Sequence, residues 1–163
     1  AASAEEAGAD YILFTCSSIG PVVETAATLT GVPVLRVDQP MADKAVATGK
    51  KVGVVATLST TLNPTSDLVR RRALVAGKEI ELKAVLCEGA FEALMSGDAA
   101  THDQKVGDAL RQLANEVDVI VLAQASMARV VDTLTEAEKK VPILASPPIA
   151  MEYLKTLLTD NAD

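Results

Sequence analysis

Residues 9–25, ADYILFTCSSIGPVVET, align without a gap on residues 117–133, VDVIVLAQASMARVVDT, 108 positions further along the chain. Six of the seventeen positions are identical: Asp10/Asp118, Ile12/Ile120, Ser18/Ser126, Val22/Val130, Val23/Val131 and Thr25/Thr133. Most of the others are conservative exchanges. Downstream, VPVL at 32–35 matches VPIL at 141–144, with one residue inserted between. Each copy reads as a strand, a short polar stretch, a helix and a second strand. Two such units in one chain imply two similar lobes related by a pseudo-two-fold axis.

Outward from the repeat, strand and helix patterns alternate with short connections. Strands are expected at Tyr11–Thr15, Val32–Val37, Val52–Thr57, Glu79–Leu86, Val119–Ala123 and Val141–Ala145. These are short apolar runs of the kind that lie buried on both faces in a parallel sheet. Gly20-Pro21 opens a helix that Gly31 stops, and a second helix runs from about Ser66 to Ala76, closed by Gly77. A helix starting near Phe91, a turn at Ser96-Gly97-Asp98 and a helix through Ala114 follow. Further helices pass through Val130-Val131 and Met151–Leu158, and AASAEEAGAD at the start reads as the last turns of a helix. Repeated β-helix-β units dictate parallel sheets flanked by helices. The expected fold is therefore α/β with two pseudo-symmetric lobes. Residues 1–45 are expected to be the remainder of the N-terminal lobe, completed by a C-terminal helix at 149–163, and residues 46–148 the second lobe. The second copy is preceded by a full strand–helix–strand–helix unit from residue 51, the first copy by only the ten residues before Tyr11. By that symmetry the first lobe is expected to be truncated at its N-terminus by about 57 residues, from a parent of about 220.

Composition narrows the function classes. The 163 residues are 49% hydrophobic, enough for a sizeable core, but only 2% aromatic. The core must then be aliphatic, as between parallel strands and helices. A formal charge of −7 argues against a nucleic-acid partner, which needs a basic face. The one basic run, Arg70-Arg71-Arg72, lies in an expected helix and reads as a solvated face. No apolar stretch reaches the roughly 18 residues of a membrane span. Cys16 and Cys87 make neither a disulfide framework nor a zinc site, so free thiols and a cytoplasmic, reducing setting are expected.

In parallel α/β sheets ligands bind beyond the carboxyl ends of the strands. Three segments fall there: Cys16-Ser17-Ser18, Thr57–Thr61 and Gln124-Ala125-Ser126. Cys16 follows its strand directly and precedes a helix start, where free N–H groups favour negative charge. Thr57, Ser59, Thr60 and Thr61 read as a hydroxyl-rich loop suited to holding a carboxylate. His102, the one histidine, reads as surface or helix-capping, and paired His metal ligands are unavailable. Cys87 reads first as a small buried hydrophobe and second as another thiol at a strand end.

The segments ADYILFTCSSIG, VGVVATLSTT and DVIVLAQASM, in that order, resemble the aspartate/glutamate/hydantoin racemase superfamily over nearly the whole chain. The resemblance implies a substrate cleft between two lobes and an isomerase that uses neither cofactor nor metal. In such racemases two cysteines, one per lobe, face opposite sides of the substrate α-carbon, one removing the proton and the other returning one. Carried over by position, Cys16 is the first-lobe catalytic thiol. Ser17, Ser18, Thr57, Thr60, Ala125 and Ser126 are the expected contacts to a small carboxylate or amino-acid ligand. The departure is at Gln124, which the repeat aligns with Cys16 where the second cysteine would stand. An amide does not exchange a proton usefully near neutral pH, so Gln124 is expected to orient a carboxylate or stabilise an enolate oxygen instead. Three readings stay open: a one-thiol isomerase, lyase or decarboxylase; a racemase with its second donor at Cys87 or upstream; and a silent small-acid-binding protein. Homo-oligomerisation is also open.

Overall fold

The computed structural model describes residues 1–160; the last three residues of the helix expected at 149–163 lie outside them. The described chain runs α1 (Ala2–Glu6), β1 (Ile12–Phe14), α2 (Gly20–Ala26), β2 (Val34–Arg36), α3 (Gln39–Thr48), β3 (Lys51–Ala56) and α4 (Ser59–Val75). It continues through β4 (Glu81–Leu86), α5 (Ala90–Met95), α6 (Ala99–Leu113), β5 (Val119–Leu122), α7 (Ala128–Val131), β6 (Ile143–Ala145) and α8 (Ser146–Asp160). All strand pairings are parallel. They form a two-stranded sheet β1-β2 and a four-stranded sheet in the order β4-β3-β5-β6.

The internal repeat persists down to strand register. In the first copy Ile12, Leu13 and Phe14 pair with Val34, Leu35 and Arg36. In the second, the aligned residues Ile120, Val121 and Leu122 pair with Ile143, Leu144 and Ala145. The Ile12 N–H donates to the Pro33 carbonyl at 3.0 Å, and the Ile120 N–H to the Pro142 carbonyl at 2.9 Å. After β1 and after β5 comes a single 3-10 turn, Ser17–Ile19 and Ala125–Met127, before the helix begins. The two copies are thus one supersecondary unit used twice.

Side-chain alternation along β3 and β5 divides the core. Val52, Val54, Ala56, Val119 and Val121 face α3 and α4, whereas Val55, Ile120 and Leu122 face α5, α6 and α7. The two flanking helix layers cover both faces of the four-stranded sheet, as continuous apolar strands require. Helix α3 buries Met41, Ala42, Ala45 and Val46 in this sheet's core, so the first copy's last helix packs on the second copy's strands. Helix α8, its counterpart, packs on α3 and reaches back toward β1, where the Tyr11 hydroxyl meets the Leu157 carbonyl at 3.4 Å. No helix of the described residues is long and apolar enough to cross a membrane.

Three local expectations need correction. Strand β1 is only half-buried, because β2 is its sole neighbour among the described residues, whereas β5 lies between β3 and β6 and is buried throughout. The expected hydroxyl loop at Ser59–Thr61 is the first turn of α4, which begins seven residues before Ser66 and contains Pro64. That turn is closed before the proline is reached, by Thr61 and Leu62 N–H groups donating to the Leu58 carbonyl at 3.2 and 3.0 Å. His102 is fully buried, on the same α6 stripe as Val106, Leu110 and Leu113, while the cap is Asp98, which accepts from the Thr101 N–H. The basic run lies on a solvent-facing side of α4, as expected, where Arg70, Arg71 and Arg72 meet Asp67, Glu24 and Asp43 in surface ion pairs.

Candidate active site

The carboxyl ends of β1, β2, β5 and β6 converge on one cavity of about 400 Å³. Its lining comes in repeat-related pairs: Thr15 with Ala123, Cys16 with Gln124, Ser17 with Ala125, and Val37 with Ser146. A cavity lined by both members of each pair lies between the two copies, and its size suits a small-molecule ligand. Cys16 is exposed there with extended backbone (φ −118°, ψ 110°), and Gln124 has nearly the same conformation (φ −133°, ψ 135°). Each sits at the strand's end, one residue before its 3-10 turn. The fold therefore presents a thiol and an amide at equivalent places in one cavity.

Gln124 is held from behind. Its Oε1 accepts the Thr57 backbone N–H at 2.7 Å, and its Nε2 donates to Thr57 Oγ1 at 2.8 Å. Thr57 is itself 5% exposed and absent from the cavity lining. It touches Gln124 rather than a place a ligand could fill. Thr60 and Ser126 are exposed and also outside the lining, Thr60 on the first turn of α4 and Ser126 within a 3-10 turn. Of the expected residues, Cys16, Ser17, Ser18, Gln124 and Ala125 share the cavity. Thr61, expected as part of the hydroxyl-rich segment, also lines it, and Ser146 and Met151 join without having been singled out. Ser146 was findable, since it is the repeat partner of Val37 and directly follows the sixth strand. Met151 carried no such signal, because only the α3–α8 packing brings it there.

Cys87 is not in this cavity. It is 6% exposed, packed in the apolar cluster of Ala90, Val106 and Leu110 on the other face of the sheet. Burial pushes its thiol up to about 11, against a weaker opposite pull from Lys105. A second depression, about 470 Å³, lies at the strands' opposite ends beside Lys50 and Lys78. It gathers no comparable chemistry, and Lys78 Nζ is already engaged by the Val46 carbonyl at 3.0 Å.

Beneath the cavity, Arg36 and Asp38 form a bidentate pair (Nε to Oδ1 2.9 Å, Nη2 to Oδ2 2.8 Å), both nearly fully buried. Burial opposes the Arg36 charge, but its hydrogen bonds to the Asp38 and Glu24 carboxylates outweigh it and hold the guanidinium above its ordinary value. A Cβ at Gly20, which opens α2 just after the Cys16 turn, would overlap that guanidinium. Only glycine allows the close approach.

A two-lobed parallel α/β frame with one exposed thiol at a strand end, opposite its symmetry-related residue, defines a class of cleft proteins built by duplication. The chain belongs to the Asp/Glu/Hydantoin racemase family, whose description matches residues 1–154. Among solved structures it is similar to a glutamate racemase from Bacillus anthracis (TM-score 0.75, 18% identity, 98% of this chain and 62% of that one). It is also similar to an allantoin racemase from Klebsiella pneumoniae (TM-score 0.73, 21% identity, 98% and 63%). An aspartate racemase homologue from Pyrococcus horikoshii gives TM-score 0.69 at 15% identity (97% and 70%). The chain thus spans about 62% of the length of the first of these relatives. Comparison with curated proteins gives no significant match.

Proposed function

We propose that the chain performs cofactor-independent acid–base chemistry at the α-carbon of a small carboxylate or amino acid, with Cys16 as the working thiol. The observation that carries this reading is the placement of Cys16 and Gln124 as repeat partners lining a single cavity. As thiolate, Cys16 takes the α-proton and becomes a thiol, and the electron pair moves into the carboxylate to give an enolate. A hydrogen bond from Gln124 Nε2 stabilises the enolate oxygen, and the same thiol returns a proton to carbon. Cys16 is the one thiol among the described residues that line the cavity, and on this reading it makes both transfers from one face. Return on the same face restores the starting configuration, so one thiol alone gives α-proton exchange with retention. On a malonate, loss of CO₂ forms the enolate and the Cys16 thiol protonates its carbon. That favours one-thiol lyase or decarboxylase chemistry over the two-thiol racemisation that the family suggests. Glutamate, aspartate and allantoin, the ligands named for the structural relatives, head the panel of candidate acids, followed by hydantoins and substituted malonates.

The test is turnover of that panel in D₂O, with α-proton exchange and CO₂ release followed by NMR, beside Cys16→Ala. Acid–base groups contribute about 10²–10⁴-fold, so the variant should lose at least about 100-fold of any activity found. Saturable binding of an acid without turnover would make the chain a binding protein and sink the enzymatic reading.

A further inference from the structure

The amide of Gln124 has two ends, and Thr57 determines which faces the cavity. A backbone N–H is an obligatory donor, so the group 2.7 Å from the Thr57 nitrogen has to be the carbonyl oxygen of the amide. That assignment fixes Nε2 at the other end. Thr57 Oγ1 lies 2.8 Å from Nε2 and 3.1 Å from Oε1, spanning the edge on which both sit. One Nε2 hydrogen is consumed there. The second is directed away from Thr57, on a side chain that lines the cavity beside Cys16.

From this geometry we infer that Thr57 is a positioning residue, its backbone N–H setting the polarity of the Gln124 amide and its hydroxyl holding the amide in place as a hydrogen-bond donor toward the cavity, so selecting ligands that present an oxygen acceptor. The inference rests on the proposed chemistry only for what the donor does, not for how it is oriented. The orientation follows from β3 and β5. The Ala123 N–H donates to the Val55 carbonyl at 2.9 Å as the final ladder bond, which leaves the Thr57 N–H beside the Gln124 side chain. An amide able to flip would offer oxygen or nitrogen to the ligand and would repel a carboxylate half the time. Locked, it offers only N–H, the polarity that a carboxylate or enolate oxygen requires.

The test reads the amide directly. In the full chain, the Gln124 side-chain amide is observed by ¹⁵N-resolved NMR in wild type, Thr57→Val and Thr57→Ser. One amide proton in the wild type should show a contact to Thr57 and slowed exchange with water. Thr57→Val, which keeps the shape and the backbone N–H but removes the hydroxyl, should lose that protection, and Thr57→Ser should restore it. Added malonate should shift the other proton, with binding about 5- to 10-fold weaker in Thr57→Val and near wild type in Thr57→Ser. An amide equally protected in Thr57→Val, or a serine variant no better than valine, overturns the positioning role. If malonate moves neither proton, the donor role fails. The acid–base reading stands apart, because Cys16-dependent exchange is measured separately on the panel acids.

Discussion

Cys16 and Cys87 are chemically alike in the sequence and unlike in the fold. Cys16 is exposed at the cavity, and Cys87 is 6% exposed within an apolar cluster. At pH 8 a disulfide reagent should therefore label one thiol in the native chain and two after denaturation; rapid labelling of both in the native state would contradict the burial. Because burial raises the folded thiol of Cys87 from 9.0 to about 11, its neutral form is the one the fold stabilises. That stability is complete below about pH 9, the unfolded value, and is lost as pH rises toward 11. Cys87→Ala should flatten this alkaline decline in denaturant titrations. The sequence alone paired Cys16 with Gln124, because the repeat aligned them, and the two share one cavity. It could not reveal the inward turn of Thr57, since a hydroxyl after a strand reads the same whether it meets a ligand or a neighbouring side chain.

Among the elements, the strands were legible to within two residues because apolar runs between turn signals are unambiguous. Helix α4 was not. The helix was expected only from about Ser66, past Pro64, but Leu62, Thr65, Ser66, Leu68 and Val69 are buried and tertiary packing carries the helix through the proline. Helix α3 went unassigned because its apolar face, Met41, Ala42, Ala45 and Val46, is interrupted by charges. Its entry from β2 is held by the Arg36–Asp38 pair, with side chains 4% and 1% exposed. Asp38→Ala removes the buried bidentate partner of the Arg36 guanidinium, leaving it only the half-exposed Glu24, and should cost about 3–5 kcal/mol. Arg71→Ala removes an ion pair whose side chains are 44% and 40% exposed and should cost less than about 1 kcal/mol. Urea denaturation of both variants checks the ordering, and equal costs would show that the buried pair contributes nothing special.

Across the whole molecule, the duplication is what the sequence declared most openly and what the structure repeats most faithfully, down to the pairing of Ile12 with Val34 and Ile120 with Ile143. What it did not declare is that α3 packs on the other copy's sheet. That seam makes the two copies one cooperative body. Met41, 1% exposed in the seam, should cost about 2–5 kcal/mol on replacement by Ala, with Cys87 becoming accessible and the helical signal lost in a single transition. Separate transitions would mean that the copies unfold independently. The cavity between them carries the central claim, that one thiol works opposite an amide where symmetry would place two like groups. Its most direct test takes a single enantiomer of the first panel acid turned over and follows its α-carbon in D₂O. The account predicts deuterium entering with retention, or CO₂ release, abolished by Cys16→Ala. Inversion keeping pace with exchange, or exchange undiminished in Cys16→Ala, would contradict it.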